Sequence, residues 1–210
     1  MTTVLTKTPF LIAVVTAGLV LAMAAPLMAV EEQPLEVLRD KVSRGLAILN
    51  DPRYRSGDAR DLQAEHMWAL SRETFDFVAM SRLVLASHWP AFTPEQRRAF
   101  VREFAAYLRR AYLPDLLEKY NGERLEYLGQ VLLSKTRARV EVLVYWRDRA
   151  FPVTAKMIRR AETWKIYDVS ALGISAMHNY RAQFQAMLRE EPPARVIEIL
   201  KNRHGGAGDG

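Results

Sequence analysis

The spacing of apolar residues changes twice along the chain. Between residues 35 and 120, apolar side chains recur every three or four positions, which is typical of helices that bury one face. From residue 123 to 169 they alternate with polar ones, as in strands, and after residue 174 the helical spacing returns. The sequence therefore predicts helices, then strands, then helices.

Three helices are predicted before the first strong helix start. The first is marked by five aliphatic residues at helical spacing, Leu35, Leu38, Val42, Leu46 and Leu49. A polar stretch over residues 50–61 interrupts the pattern. Two further helices are predicted over residues 62–71 and 76–88, and Pro90 closes the second of these.

The next helix has a well-defined start. Thr93 can cap it, Pro94 suits its first position, and Gln96 completes a capping box. An apolar stripe follows, formed by Phe100, Phe104, Leu108 and Tyr112. Pro114 lies inside this pattern and removes one helical hydrogen bond, so the helix should kink or end near Ala111.

Four strands are predicted over residues 125–132, 137–146, 151–157 and 164–169. In the second strand, Val140, Val142 and Val144 face one way and Arg139 and Glu141 the other. In the fourth strand two sets alternate, Trp164, Ile166 and Asp168 against Lys165, Tyr167 and Val169. The short connections favour an antiparallel meander.

Two helices are predicted to close the chain. The first has one apolar face, formed by Ile174, Met177, Tyr180, Phe184, Met187 and Leu188. Pro192 and Pro193 stop it, and a last helix follows, marked by Val196, Ile197 and Leu200. With no internal repeat and no linker, the pattern predicts one α+β domain over residues 30–204, in which helices pack on one face of a curved sheet, and a flexible tail over 205–210.

Residues 1–29 are typical of a cleaved secretory signal peptide. Lys7 gives a weakly basic start, an apolar run from Phe10 to Met23 follows, and small residues come next. Cleavage after Ala29 and cleavage after Ala24 both remain open. An uncleaved anchor helix is the alternative, but the run is short for a membrane span. We expect export to the periplasm.

Composition excludes some classes of site. The chain has 210 residues, half of them hydrophobic, and no cysteine, so it can form neither a disulfide framework nor a cysteine-ligated metal site. Its formal net charge is +6. A basic surface could bind nucleic acid, but export argues against this, and transient contact with anionic membrane headgroups fits better.

Residues suited to catalysis are few. The four histidines are scattered without metal-ligand spacing, and no glycine-rich loop could cradle a phosphate. The one candidate acid or base is Asp168, at a strand end. The structural alternative, which we favour, is that Asp168 caps a helix start or pairs with an arginine such as Arg181.

Several short motifs, in order, resemble the MlaC family of periplasmic phospholipid-binding proteins, also described as toluene-tolerance auxiliary transport proteins. They cover most of the chain from about residue 75 to 200. The matching segments are Asp76-Phe77, Met80-Ser81-Arg82, His88-Trp89, Pro94-Glu95-Gln96-Arg97, Phe100, Phe104, Trp164 to Val169, Gly173-Ile174-Ser175, and Asn179 to Phe184. The sequence departs from the family pattern at Ala86, Pro114 and Ala182, which affects helix geometry and pocket shape.

The resemblance implies an NTF2-like curved sheet wrapped by helices around a deep apolar cavity. It implies a carrier that shuttles phospholipid between an outer-membrane lipoprotein complex and an inner-membrane ABC transporter with an MCE-domain subunit. Such a carrier maintains outer-membrane lipid asymmetry, has no cofactor besides its lipid cargo, and catalyses no reaction. The lipid-binding residues we expect are Phe104, Leu108, Tyr112, Val142, Val144, Val153, Tyr167, Tyr180 and Phe184, with Asn179 and Arg181 as candidates for the cavity mouth.

Three alternatives stay open at this point. The cargo could be another lipid, such as a hopanoid. The same scaffold could host a cavity enzyme that uses Asp168 as its base. A periplasmic chaperone with an exposed groove would bind peptides instead of lipid.

Overall fold

The computed structural model describes residues 32–54, 59–147 and 149–203, which belong to one compact unit. The predicted signal peptide over residues 1–29 and the predicted tail over 205–210 lie outside this range. The described residues confirm an α+β architecture, in which helices precede and follow the strands along the chain.

Six α-helices are described, and each begins where the apolar spacing predicts one to within a few residues. They are α1 (Pro34–Asn50), α2 (Ala59–Thr74), α3 (Phe77–Leu85), α4 (Pro94–Lys119), α5 (Ala176–Glu190) and α6 (Pro193–Asn202). Short 3-10 turns occupy Pro52–Tyr54 and Ala86–Ala91. The third predicted helix is therefore shorter than expected, because its last residues form a 3-10 turn.

Helix α4 starts as predicted but ends later. The Thr93 hydroxyl accepts the backbone N–H of Gln96, whose side chain accepts the N–H of Thr93 in return, so the capping box is confirmed. The helix was expected to kink or end near Ala111, and it does not end there, since it continues through Pro114 to Lys119. A proline inside a helix costs about 3 kcal/mol. Burial of Leu113 on the same turn, against Met67 and Leu70 of α2, offsets this cost.

The strands form one antiparallel meander, as predicted. Their order in the sheet is the order in sequence, β1 (Arg124–Ser134), β2 (Arg137–Trp146), β3 (Arg149–Arg160), β4 (Thr163–Ala171) and β5 (Ile174–Ser175). The fifth strand was not expected. Ile174, which the pattern assigned to the apolar face of α5, lies on β5 and is exposed, and α5 begins only after Ser175, whose hydroxyl accepts the N–H of His178.

A bulge in β4 corrects the predicted strand pattern. Met157 of β3 pairs with Ile166, but its neighbour Lys156 pairs with Asp168, so Tyr167 is an extra residue in β4. From the bulge onwards, each side chain of β4 lies on the opposite sheet face from the one that regular alternation predicts. Asp168 therefore lies on the sheet face opposite Ile166, whereas the sequence pattern had placed the two side chains together.

One face of the sheet packs against α1. Val37 and Leu38 of the helix meet a buried set of strand residues, Ala138, Val140, Val142, Ala155, Met157, Trp164 and Ile166. A second apolar cluster lies among α3, α4, α5 and α6, and its centre is aromatic. The Phe100 and Phe104 rings stack at 5.7 Å, and the Phe184 ring meets both edge-on. Buried aromatic pairs of this kind add about 1 kcal/mol each beyond their burial.

Three of the shared motifs meet at one turn. The Trp89 ring contacts two guanidinium groups, with Arg82 at 5.2 Å and Arg97 at 5.5 Å from the ring centre. Arg97 also donates hydrogen bonds to the carbonyls of Trp89 and Pro90. These contacts fix the 3-10 turn between α3 and α4.

Asp76 joins helix α3 to the sheet. Its carboxylate accepts the backbone N–H of Ala79 at 2.8 Å, which caps the helix, and it forms an ion pair with Arg160 of β3. Its own N–H donates to the carbonyl of Ile166 in β4 at 2.8 Å. Because the carboxylate is buried, it stabilises both partners more than an exposed cap would.

We predict that Asp76→Ala lowers the free energy of unfolding by about 2 kcal/mol, because it removes a helix cap and leaves Arg160 without its partner. Urea denaturation of the whole chain measures this. Glu162→Ala is the matched control, since the Glu162 side chain is 93% exposed and pairs with Arg159 only at 3.6 Å. The control should change stability by less than about 0.5 kcal/mol, and equal losses in both variants would contradict the assignment.

Candidate functional site

An apolar cavity of about 600 Å³ lies among α2, α4, α5 and strand β4. Its volume is in the range of pockets that hold small organic ligands. Most of its lining is apolar or aromatic. The lining residues are Trp68, Ser71, Phe75, Phe77, Leu108, Arg109, Tyr112, Leu113, Asp115, Leu116, Val169, Ala176, Met177 and Tyr180.

Helical spacing explains why α4 and α5 line the cavity. Leu108, Tyr112 and Leu116 are four residues apart, so they lie on one face of α4. The start of α5 contributes Ala176 and Tyr180 in the same way. The aromatic wall comes from α2 and the start of α3, where the ring of Phe77 lies 5.6 Å from that of Trp68 and 6.1 Å from that of Phe75.

Two tyrosines connect the helices across the cavity. The hydroxyl groups of Tyr112 and Tyr180 lie 2.8 Å apart and share a hydrogen bond. Burial raises the pKa of Tyr180 well above its ordinary value, and the hydrogen bond to Tyr112 raises this pKa further. Both conditions keep the phenol neutral. The pair therefore places a satisfied, uncharged polar group in the cavity wall.

The polar residues of the lining already have partners. The guanidinium of Arg109 lies 5.5 Å from the centre of the Trp68 ring and forms an ion pair with Glu65. Asp115 pairs with Lys119 at 2.8 Å, and the hydroxyl of Ser71 donates to the carbonyl of Met67 at 2.9 Å. Polar groups with partners leave the rest of the cavity as an apolar surface.

Only some of the residues that the sequence proposed for lipid binding line the cavity. Leu108, Tyr112 and Tyr180 line the cavity. Phe104 and Phe184 lie behind the wall in the buried aromatic cluster, where the Phe104 ring is 5.5 Å from that of Tyr180. Phe104 and Phe184 thus support a wall residue without lining the cavity.

Tyr167, the extra residue of the β4 bulge, packs at the edge of the same aromatic cluster. Its ring also meets the guanidinium of Arg137 at 4.6 Å. Tyr167 therefore belongs to the apolar cluster among α3, α4, α5 and α6 and does not line the cavity.

The three proposed valines lie on the sheet. Val142 pairs with Val153, and both share the face on which Ala155 pairs with the cavity residue Val169. Val142 is buried beneath α1, whereas Val144 and Val153 are half-buried. Together with Phe151, which pairs with Val144, they extend the apolar surface of Val169 along the sheet. The proposed valines are therefore beside the cavity rather than in it.

Sequence reasoning missed most of the aromatic wall and the second half of α4. Leu116 could have been found, since it continues the four-residue spacing of Leu108 and Tyr112, but Pro114 left the course of the helix beyond Ala111 undecided. Trp68, Phe75 and Phe77 carry no periodic pattern that points to a cavity. Their positions follow from how α2 and α3 pack, which local spacing does not encode.

Asp168 lies at a separate depression of about 420 Å³. Its buried carboxylate accepts hydrogen bonds from the Lys156 ammonium at 2.9 Å, the Ser175 hydroxyl at 2.8 Å and the backbone N–H of Met177 at 3.2 Å. It therefore caps the start of α5, as the structural alternative predicted, although its charged partner is Lys156 and not Arg181.

The residues expected at the cavity mouth also belong to that depression. Asn179 and Arg181 line it together with Lys156 and Asp168, and neither lines the apolar cavity. Within residues 32–54, 59–147 and 149–203, no group of three acidic or histidine side chains is arranged to hold a metal ion. No helix in these ranges has the length and apolar character needed to cross a bilayer.

Comparison with known proteins gives two findings. A family model described as MlaC protein matches residues 39–202. A phospholipid-binding protein from Ralstonia solanacearum, solved in complex with a phospholipid, has a similar structure with a TM-score of 0.69 and 20% sequence identity, over 80% of this chain and 95% of that chain. At this identity the likeness shows a shared fold. The family model extends from within α1 to the end of α6, and the protein therefore belongs to the MlaC family.

Proposed function

We propose that this protein is a periplasmic phospholipid carrier, the water-soluble component of an ABC-type system that moves lipid between the inner and outer membranes. The observation that carries the proposal is the apolar cavity among α2, α4, α5 and β4. Membership of the MlaC family and the phospholipid bound by the Ralstonia protein of the same fold support it.

The physical need for such a carrier is large. Exposing one methylene group to water costs ~0.8 kcal/mol, so two acyl chains with about 30 methylenes together cost more than ~20 kcal/mol to move bare through water. A cavity that replaces the bilayer as the solvent for the chains removes most of this barrier. Its walls need no reactive group.

Cavity shape suggests how the lipid lies. One acyl chain enters between α4 and α5, where Leu108, Tyr112 and Tyr180 contact it. A second chain follows the apolar sheet surface from Val169 along Val153 to Val144, and Val142, buried beneath α1, supports this surface from the paired strand. Phe104, Phe184 and Tyr167 act indirectly by supporting the wall. The headgroup stays at the mouth near Arg109, whose guanidinium can approach a phosphate.

The cellular setting belongs to the same proposal. A signal peptide over residues 1–29 delivers the chain to the periplasm, where an outer-membrane lipoprotein complex and an inner-membrane ABC transporter with an MCE-domain subunit exchange lipid with it. Because these partners must load and unload the cavity, the affinity for lipid has to differ between the docked and the free states of the carrier.

The direct test is extraction of lipid from the protein purified from its own cells, followed by mass spectrometry. We expect phospholipid in near-stoichiometric amount. Recovery of a hopanoid would change the cargo but keep the carrier. Protein that carries no lipid and also takes none from vesicles, yet binds unfolded peptides, would replace the proposal with a chaperone.

We predict that Ala176→Phe reduces lipid retention at least about tenfold, because a ring that fills the cavity displaces roughly two methylenes of an acyl chain, worth ~1.6 kcal/mol. The matched control is Ala182→Phe, which places the same ring on the exposed side of the same helix. Lipid retained after gel filtration measures both variants. Equal retention in the two variants would show that the acyl chain lies elsewhere.

A cavity enzyme that uses Asp168 as its base has no support in the geometry. All contacts of the Asp168 carboxylate are structural, and the residue lines the separate depression and not the apolar cavity. The side chain therefore holds α5 to β3 and β4 and does not line the apolar cavity.

We predict that Asp168→Asn lowers the free energy of unfolding by about 2 kcal/mol while lipid retention stays within about twofold of the parent. An amide cannot pair with the Lys156 ammonium as a carboxylate does. Asp40→Asn, at an exposed ion pair on α1, is the control for the charge change and should cost less than about 0.5 kcal/mol. Unchanged stability together with altered bound lipid would instead favour a chemical role for Asp168.

A further inference from the structure

Two turns at one end of the sheet expose large apolar side chains near each other. The β2–β3 turn presents Trp146, and the β4–β5 turn presents Leu172 and Ile174. The turns are neighbours, because the N–H of Leu172 donates to the carbonyl of Pro152 at 3.0 Å and the Trp146 ring lies 6.2 Å from that of Phe151. We refer to Trp146, Arg147, Arg149, Leu172 and Ile174 as the apolar tip.

The exposure of the apolar tip is unusual for its residue types. Trp146 is 48% exposed, and Leu172 and Ile174 are each 61% exposed. Single exposed aliphatic residues are common on soluble proteins, but an adjacent tryptophan, leucine and isoleucine form a patch of the kind that marks an interaction site.

The apolar tip also carries two exposed arginines, Arg147 and Arg149. The guanidinium of Arg147 lies over the ring of Trp146, 4.7 Å from its centre. The sequence places one acid, Asp148, between the two arginines, so the turn has a net charge of +1. Its charge is complementary to an anionic surface.

The apolar tip adjoins the lipid cavity. Residues Leu172 to Ser175 connect Val169, which lines the cavity from β4, to Ala176, which lines it from α5. On the sheet face of Val169, the half-buried Val153 and Val144 lead along the strands towards Trp146. A surface that binds the apolar tip would therefore lie next to the place where an acyl chain enters or leaves the cavity.

We propose that the apolar tip docks the carrier on an anionic bilayer surface. Trp146, Leu172 and Ile174 enter the interfacial layer, where tryptophan is favoured, while Arg147 and Arg149 meet lipid phosphates. This inference rests on the proposed carrier function and adds a surface by which the carrier contacts the bilayer while its proposed protein partners exchange lipid with it. A bilayer fits better than a protein partner, because apolar side chains beside two exposed arginines match hydrocarbon beneath anionic headgroups.

The test is flotation of the purified protein with vesicles of phosphatidylethanolamine and phosphatidylglycerol. The variant is Leu172→Asp with Ile174→Asp. Aspartate tolerates the left-handed backbone of residue 172, whose φ is 52°, so folding should be kept. We expect at least about a tenfold loss of vesicle binding, since two inserted side chains are removed and two anions are added.

A matched control exists at the opposite end of the sheet. Leu132 and Leu133, near the β1–β2 turn, are 57% and 56% exposed, and changing both to Asp alters charge and exposed apolar surface by nearly the same amount. This control should bind vesicles within about twofold of the parent. Equal losses in the two double variants, or a larger loss in the control, would overturn the proposal.

Two further measurements separate this proposal from the carrier function. Arg147→Gln with Arg149→Gln should weaken vesicle binding and make it less dependent on salt concentration. Each cation near an anionic surface changes the affinity for vesicles about fivefold. Lipid content is measured on every variant. Parent protein that carries lipid but never floats with vesicles would refute docking and leave the carrier function standing, whereas parent protein that floats but carries no lipid would refute the carrier function.

Discussion

An apolar void is stable only when its walls cannot move together, and the structure meets this constraint with two buried carboxylates. Empty apolar space forgoes van der Waals contact, so a soft interior would close it. Asp76 fixes the start of α3 to β3 and β4, and Asp168 fixes the start of α5 to the same strands. The Phe184 ring of α5 meets the Phe100 and Phe104 rings edge-on and so holds the first half of α4. The cavity lies between elements that are each attached to the rest of the fold.

The polar chemistry of the cavity fits a carrier better than an enzyme for the same physical reason. A catalytic group needs a free proton acceptor or donor near the substrate. Here the Tyr112 and Tyr180 hydroxyls satisfy each other, and Arg109 and Asp115 are engaged by Glu65 and Lys119. A bound acyl chain would meet only groups that already have partners, so its binding free energy comes from burial and changes little with small displacements.

Sequence periodicity predicted the order of elements well because it depends on which residues are buried, and burial is regular along helices and strands. The capping box at Thr93 could equally be predicted, because it is a local hydrogen-bond pattern.

Two features could not be predicted from the sequence. Pro114 was expected to kink or end α4, and packing of Leu113 against α2, which no local pattern records, carries the helix through it to Lys119. The cavity wall from Trp68, Phe75 and Phe77 depends on how α2 and α3 meet, and no spacing along the chain records that. Of the nine proposed site residues, the three that line the cavity come from α4 and α5, whereas Phe104 and Phe184, one turn away on the same helices, are buried in the aromatic cluster.

The bulge at Tyr167 decides what kind of wall β4 presents. With a regular register, Asp168 would share a face with Ile166 and stand beside the hydrocarbon, and Val169 would point away from it. The single extra residue exchanges them, so that valine meets the cavity and the carboxylate is turned to the far side, where Lys156 and the start of α5 neutralise it. If the same residues alternated regularly, without the bulge, this wall would bear a desolvated acid. Within this architecture, the difference between a lipid container and a scaffold for acid–base chemistry is one position of strand register.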